Sequence, residues 1–139
     1  MTGVQTCALP ILPPTSSVEA AARRLASLAT GGRTPLAAGL ARAARVLAAE
    51  RLRDPRRRAL LVVVTDGRAT SGSDADLARA AAMLTGPGLA GTASVVVDCE
   101  ASVLRLGLAE RLAVLLGATV FRLDELEAGP GLAPWRPSQ

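Results

Sequence analysis

Two side chains that carry oxygen atoms lie at positions where they could bind a metal ion. Thr34 lies in a Gly-rich loop at residues 30–36 (TGGRTPL), and Asp66 follows a run of valines in residues 62–70 (VVVTDGRAT). Hydroxyl and carboxylate oxygens are hard ligands that suit Mg²⁺. Thr34 and Asp66 are therefore candidate metal ligands, an assignment that a family resemblance described below favours. The residues expected to shape the site flank them: Gly31, Gly32, Arg33, Gly67 and Arg68.

Each of these residues also has a simpler structural explanation. Thr34 can be only the N-cap of a helix, which is worth about 1 kcal/mol. The Asp66-Gly67 pair can be an ordinary turn, although the carboxyl end of a parallel strand is where open α/β sheets bind ligands. The Gly31-Gly32 pair can cradle an anion, but a hinge is the simpler role. The two flanking arginines can meet an acidic partner or be plain surface.

Composition excludes several classes of enzyme. The 139 residues include no histidine and no lysine, because all 16 basic residues are arginine. This removes Ser-His-Asp and Cys-His catalysis, Schiff-base chemistry and a P-loop lysine. Cys7 and Cys99 cannot form a disulfide framework or a four-ligand zinc site. We predict no catalytic residue in this chain.

The net charge and the hydropathy of the chain bear on two classes of partner, nucleic acids and membranes. The net charge of +4 is modest for this length and does not by itself indicate a nucleic-acid partner. No apolar run approaches the length of about 18 residues that a membrane span needs. The expectation is therefore a chain with neither a membrane nor a nucleic-acid partner.

The helices and strands that position Thr34 and Asp66 can be predicted from the spacing of apolar residues and from the residues that interrupt it. Apolar stripes and helix-breaking residues predict helices at 18–28, 35–53, 74–85 and 124–127. A further helix, which stops at Gly117, is marked by a stripe that we expect to lie in the core: Leu104, Leu108, Leu112 and Leu115. Short apolar runs predict strands at 59–65, 92–97 and 118–123. The first run, ALLVVVT, is typical of a strand buried on both faces of a parallel sheet.

The order of these elements predicts an α/β fold in which helical crossovers join parallel strands. Ser16 or Ser17, Thr34 and Ser73 are the expected N-caps. Three strands are few for a doubly wound sheet, so we expect part of a larger domain.

The two ends of the chain are set apart from the rest. Residues 1–11 (MTGVQTCALPI) hold the only isoleucine and carry no charged side chain. This segment back-translates into a common sequencing adapter, so we interpret it as an assembly artefact, with a disordered N-terminus as the alternative. The native chain is then expected to extend upstream of Leu12, and residues 128–139 are expected to be a flexible tail. A single native cysteine, Cys99, suggests a reducing, cytoplasmic compartment.

The TGGRTPL and VTDGRA strings together resemble the von Willebrand factor A (VWA) family. Its metal-ion-dependent adhesion site uses an Asp-x-Ser-x-Ser segment, a Thr in a later loop and an Asp after the fourth strand. Thr34 and Asp66 match the last two. Most of residues 12–126, including SVVVDCE and LRLGLAERLAVLLGATVFRLDEL, resembles the VWA module of the D subunit of magnesium chelatase and of related cobaltochelatase subunits.

This resemblance implies an incomplete, three-layer, doubly wound, Rossmann-like VWA fold over residues 12–127, with helices on both faces of the sheet. The family inserts Mg²⁺ (or Co²⁺) into a tetrapyrrole at the expense of ATP. Its VWA module is non-catalytic and engages the AAA+ ATPase subunit and the porphyrin-binding subunit through the metal site. The Asp-x-Ser-x-Ser segment is missing here. We therefore expect weak Mg²⁺ binding, which a submillimolar dissociation constant by calorimetry would contradict.

Two other functions remain open. A stand-alone VWA interaction protein would lack an AAA+ domain, which discriminates it from a chelatase subunit. A nucleotide-binding enzyme could use Gly31 and Gly32, but their loop follows a helix rather than a strand.

Two clusters of residues each have a structural interpretation and a functional one. Asp98, Cys99 and Glu100 could form a soft metal site, although Cys99 is more often a small buried residue. The densest charge cluster can be a patch for nucleic acid or an acidic partner; we favour a solvated helix end, since no aromatic residues interleave for base stacking. This cluster comprises Arg51, Arg53, Arg56, Arg57 and Arg58.

Overall fold

The structure, a computed structural model, describes residues 12–28, 34–66, 72–100 and 107–128. The interpretations of residues 1–11 and of most of the tail concern segments outside these ranges. The described helices are α1 (Val18–Ala26), α2 (Leu36–Arg53), α3 (Asp74–Thr85), α4 (Leu108–Leu116) and α5 (Leu123–Ala128). The described strands are β1 (Leu60–Thr65), β2 (Ala93–Asp98) and β3 (Thr119–Arg122), and a 3₁₀ turn covers Pro87–Leu89.

Local capping explains where the crossover helices begin and end. The Ser73 hydroxyl accepts a hydrogen bond from the Asp76 N–H, and the Asp76 carboxylate accepts one from the Ser73 N–H, so a capping box starts α3. Ser17 caps α1 by accepting from the Ala20 N–H at 3.2 Å. Helix α4 ends at Gly117, whose φ of 58° is in the left-handed region that glycine tolerates.

The start of α2 differs from the prediction. The N-cap is Pro35 rather than Thr34, and it makes no side-chain cap bond. The first helical hydrogen bond runs from the Gly39 N–H to the Pro35 carbonyl at 3.0 Å. Pro35 has a ψ of 67°, which lies outside the helical range, so the helix begins one residue later than expected.

The three strands form a parallel sheet in the order β1-β2-β3. Val63 lies opposite Val96, and Val96 lies opposite Val120. Helix α3 connects β1 to β2, and α4 connects β2 to β3. The predicted α/β class with a parallel sheet and crossover helices is confirmed, as an incomplete Rossmann-like fold.

The core lies on one face of this sheet. Val63 and Val96 point into a cluster that α2, α3 and α4 cover with their apolar sides. Val96 and Leu112 have no exposed surface, and Leu40 and Ala44 of α2 are also buried. The three helices form one layer, because α2 contacts α3 and α3 contacts α4.

The other face of β1 is exposed, which corrects the prediction that ALLVVVT is buried on both faces. Leu60, Val62 and Val64 alternate with the buried positions and are 60%, 50% and 65% exposed. Successive side chains of a strand point to opposite faces, and the α2–α4 layer covers only one of them. The helix layer expected on the second face contributes no side chain to the core of the described residues. Within the described sheet, β1 is an edge strand.

The leucine stripe of α4 also needs a correction. Leu108 and Leu112 are buried as predicted, but Leu115 is 38% exposed and Leu116 is buried in its place. A spacing of four residues keeps 108, 112 and 116 on one side of the helix, whereas residue 115 has turned away from it. Leu104 lies outside the described residues.

Candidate functional site

The carboxyl edge of the sheet brings Asp66 beside the end of β2. Strand β1 ends at Thr65, which lies opposite Asp98, and Asp66 is the next residue. The pairing continues past the strand, because the Cys99 N–H donates to the Thr65 carbonyl at 2.8 Å. Asp66 is exposed at this edge. Its predicted place at the carboxyl end of a parallel strand is therefore what the structure shows.

The N-terminal ends of α2 and α3 lie close to each other. A Cβ built on Gly72 would lie 3.9 Å from the Cβ of Ala37, so the residue before the α3 cap touches the first turn of α2. Thr34 immediately precedes this turn and is exposed. Gly72, the first described residue after Asp66, therefore lies near the start of α2, which Thr34 precedes. The expected shaping residues lie outside the described residues: Gly31, Gly32, Arg33, Gly67 and Arg68.

The two candidate ligands suit a weakly held, hydrated Mg²⁺. Thr34 offers a hydroxyl oxygen and Asp66 a carboxylate. Mg²⁺ usually keeps several water ligands and is held in proteins by one or two carboxylates. Among the described residues, no three His, Cys, Asp or Glu side chains are grouped so that they could hold a metal ion. The chemistry of this donor set therefore fits Mg²⁺, but only with further oxygen ligands from elsewhere.

Asp98 is the one buried polar or charged residue in the described part of the chain, at 3% exposure. Its Oδ1 accepts a hydrogen bond from the Glu100 N–H at 2.9 Å, which shapes the turn after β2. Our sequence interpretation treated Asp98 only as a member of a soft metal cluster with Cys99 and Glu100. An acid directly after a buried valine strand is the signal that could have singled it out. Cys99 is half-buried and not in a disulfide.

Asp76 is a carboxylate in the first turn of α3. Its Oδ2 accepts from the Ser73 hydroxyl at 2.8 Å and from the Ser73 N–H at 3.1 Å, and Arg79 pairs with its Oδ1. The hydrogen bonds from Ser73, and then the Arg79 guanidinium, hold the pKa of Asp76 below its ordinary value of 3.8. Asp76 is thus charged at neutral pH and committed to the start of α3.

An open groove runs from the joined helix ends between α2 and α3. It encloses about 510 Å³ and is lined by Pro35, Ala37, Ala38, Ala41, Gly72, Asp76, Arg79, Ala80 and Met83. The small side chains of α2 let the two helices approach closely. This groove is open to solvent, and neither Thr34 nor Asp66 lines it. Separately, none of the helices within the described ranges has the length and apolar character to cross a membrane.

Comparison with known proteins gives one relative at 53% identity and two at 34% identity. No family model matches the chain, and no solved structure matches it significantly. An uncharacterized protein of Mycobacterium tuberculosis is 53% identical over 118 residues, covering 85% of this chain and 19% of that protein. The magnesium-chelatase 67 kDa subunits of Chlorobaculum tepidum and Chlorobaculum parvum are each 34% identical over 137 residues, covering 85% of this chain and 21% of the relative. The chain therefore spans about a fifth of the length of these relatives, and it is distantly similar to a magnesium-chelatase subunit.

Proposed function

We propose that this chain is a VWA-type module of the D subunit of an ATP-dependent magnesium (or cobalt) chelatase, where it assembles subunits in a Mg²⁺-dependent way. The observation that carries the proposal is the 34% identity to the magnesium-chelatase 67 kDa subunit over 85% of the chain. The position of Asp66 at the carboxyl edge of the sheet supports a ligand-binding role for that edge.

The role of each residue follows from its chemistry. Asp66 would supply a charged oxygen to Mg²⁺ and Thr34 a neutral hydroxyl oxygen, while water and a partner's carboxylate would complete the coordination. Bound there, Mg²⁺ would join two proteins through shared oxygen ligands. The partners would be the AAA+ ATPase subunit and the porphyrin-binding subunit. The chain contains no lysine for a P-loop, so ATP hydrolysis by that route would belong to another domain.

A competition experiment tests this function. The 139-residue chain is added in excess to a reconstituted Chlorobaculum tepidum magnesium chelatase, and the rate of metal insertion into the porphyrin is measured. We expect the chain to inhibit the enzyme, because it would occupy the position of the corresponding module of the 67 kDa subunit. The variant Asp66→Asn should not inhibit.

The matched control is Glu110→Gln, which removes one carboxylate from the exposed side of α4. This variant should inhibit as the unchanged chain does. Absence of inhibition by the unchanged chain would refute the chelatase role, and equal inhibition by Asp66→Asn would refute its dependence on Mg²⁺ bound at Asp66.

A metal-dependent interaction module with no chelatase role is the second candidate. It is kept because the chelatase subunits are only 34% identical to this chain and the chain spans about a fifth of their length. This function predicts Mg²⁺ binding that depends on Asp66 without any inhibition of the chelatase. An AAA+ domain in the full-length protein would count against it.

A further inference from the structure

The positive charge of the chain is concentrated in one short segment. Residues 50–58 contain five arginines and two acids, a net charge of +3, whereas the whole chain has a net charge of +4. The remaining residues are therefore close to neutral. We call the five arginines the arginine patch: Arg51, Arg53, Arg56, Arg57 and Arg58.

The arginine patch lies at the amino edge of the sheet, at the opposite end of β1 from Asp66. Helix α2 ends at Arg53, and β1 begins at Leu60. The turn between them is fixed by hydrogen bonds to Asp54, whose Oδ1 accepts from the Arg56 N–H and whose carbonyl accepts from the Arg57 N–H, both at 3.1 Å. The patch is thus presented on an ordered turn.

Three of the five guanidinium groups are already engaged. Glu50 accepts from Arg53 at 2.8 Å and from Arg57 at 3.1 Å, and Arg51 donates to the Ala90 carbonyl. Arg56 and Arg58 are exposed, and no carboxylate of the described ranges lies within ion-pair distance of either. Two cationic groups therefore face solvent beside three that are held in place.

The chemistry of the patch favours carboxylates over a nucleic acid. Guanidinium groups bind carboxylates and phosphates alike with two parallel hydrogen bonds, so the choice between them depends on the rest of the surface. Tight nucleic-acid binding uses many phosphate contacts or aromatic stacking, whereas this patch offers two open arginines and residues 50–58 contain no aromatic side chain. A short acidic segment of a polypeptide matches a net charge of +3 confined to nine residues.

We propose that the arginine patch is a docking surface for a short, carboxylate-rich segment of a partner protein, with Arg56 and Arg58 making the direct contacts. This surface acts independently of the metal site proposed above, which lies at the other edge of the sheet. The pairing of Arg53 and Arg57 with Glu50 keeps the ordered turn in position for the partner.

The test is fluorescence anisotropy with a fluorescein-labelled peptide of ten glutamates and the 139-residue chain, at low salt and with EDTA present. We expect binding that weakens as NaCl is raised, because exposed ion pairs are screened by salt. The double variant Arg56→Ser/Arg58→Ser should lower the affinity about fivefold, as the loss of two exposed ion pairs predicts. The double variant Arg42→Ser/Arg45→Ser removes the same charge from exposed positions of α2 and should change the affinity less than about twofold.

Several outcomes would overturn the proposal. These are no binding by the unchanged chain, equal losses in the two double variants, or tighter binding of a DNA duplex of similar charge. Binding that needs Mg²⁺ and is lost in Asp66→Asn would also overturn it, because the peptide would then be docking at the metal site. Circular dichroism of both variants confirms that neither substitution unfolds the chain.

Discussion

The two faces of the sheet differ in burial although they are built from the same residue type. Val63 is 8% exposed, while its neighbours Val62 and Val64 in the same strand are 50% and 65% exposed. The difference arises from the helices, because the α2–α4 layer covers the face of Val63 and contributes nothing to the other. The burial of a valine in this strand depends on whether a helix covers its side chain, so the run of valines alone does not predict it.

The covered face must hold most of the stability of the described fold. Burying a Leu or Val side chain contributes roughly 1.5–3 kcal/mol, and an exposed one contributes little. The fully buried side chains Val96 and Leu112 lie in this core. The open face adds little energy and exposes apolar surface, which in soluble proteins marks either an interface or an aggregation hazard.

The largest expected effect is at the centre of the covered face. Leu112→Ala should reduce the free energy of unfolding by about 2–5 kcal/mol, since it leaves a cavity in a fully buried position. Chemical denaturation followed by circular dichroism measures this loss. Val114→Ala in the same helix, at 82% exposure, is the control and should cost less than about 0.5 kcal/mol. Similar losses in the two variants would mean that α4 does not pack as described.

A matched pair in β1 compares the faces directly. Val63→Ala should cost about 1.5 kcal/mol, because two methyl groups are lost from the core. Val62→Ala carries the same change in strand propensity but removes an exposed side chain, so it should cost clearly less. If denaturation curves showed that Val62→Ala is no more stable than Val63→Ala, the described difference between the two faces would be contradicted.

A smaller effect is expected at the start of α3, which supplies four buried residues to the covered face. Ser73→Ala removes the cap and should reduce stability by about 1 kcal/mol. It should also raise the pKa of Asp76, because Ser73 provides the hydrogen bonds that mainly lower it. Titration followed by carboxyl NMR measures that change.

The pH dependence of this contribution follows from the sign of the shift. The pKa of Asp76 is lower in the folded chain than in the unfolded one, so its stabilisation is complete above the unfolded pKa and is lost as pH falls through the folded pKa. The unchanged chain should therefore lose more stability on acidification than Ser73→Ala. Parallel acid sensitivities would indicate that the capping box does not control Asp76.

The sequence was sufficient to predict local structure but not what covers each element. The Ser73 cap and the bounds of α3 depend on neighbouring residues, and the prediction was confirmed. The exposure of one face of β1, and the burial of Leu116 rather than Leu115, depend on which helices pack against each element. The predictions for both were wrong. Thr34 was misplaced as an N-cap, because the backbone of Pro35 leaves the helical range.

The candidate site also combines features that the sequence predicts with features that depend on tertiary packing. The position of Asp66 at a carboxyl edge follows from the strand rule, whereas the contact between the ends of α2 and α3 depends on tertiary packing. Thr34 was linked to Asp66 through a family resemblance, since no local pattern connects residues so far apart. The burial of Asp98 depends on packing around the end of β2.

The assignment of Thr34 and Asp66 to one metal site is tested most directly with Mn²⁺ as a paramagnetic substitute for Mg²⁺. Substoichiometric Mn²⁺ broadens the amide NMR signals nearest to it even when binding is weak. We expect broadening centred on residues 34 and 66 that excess Mg²⁺ reverses, that Asp66→Asn abolishes and that Glu110→Gln leaves unchanged. Broadening centred on other carboxylates, or unchanged in Asp66→Asn, would contradict the assignment.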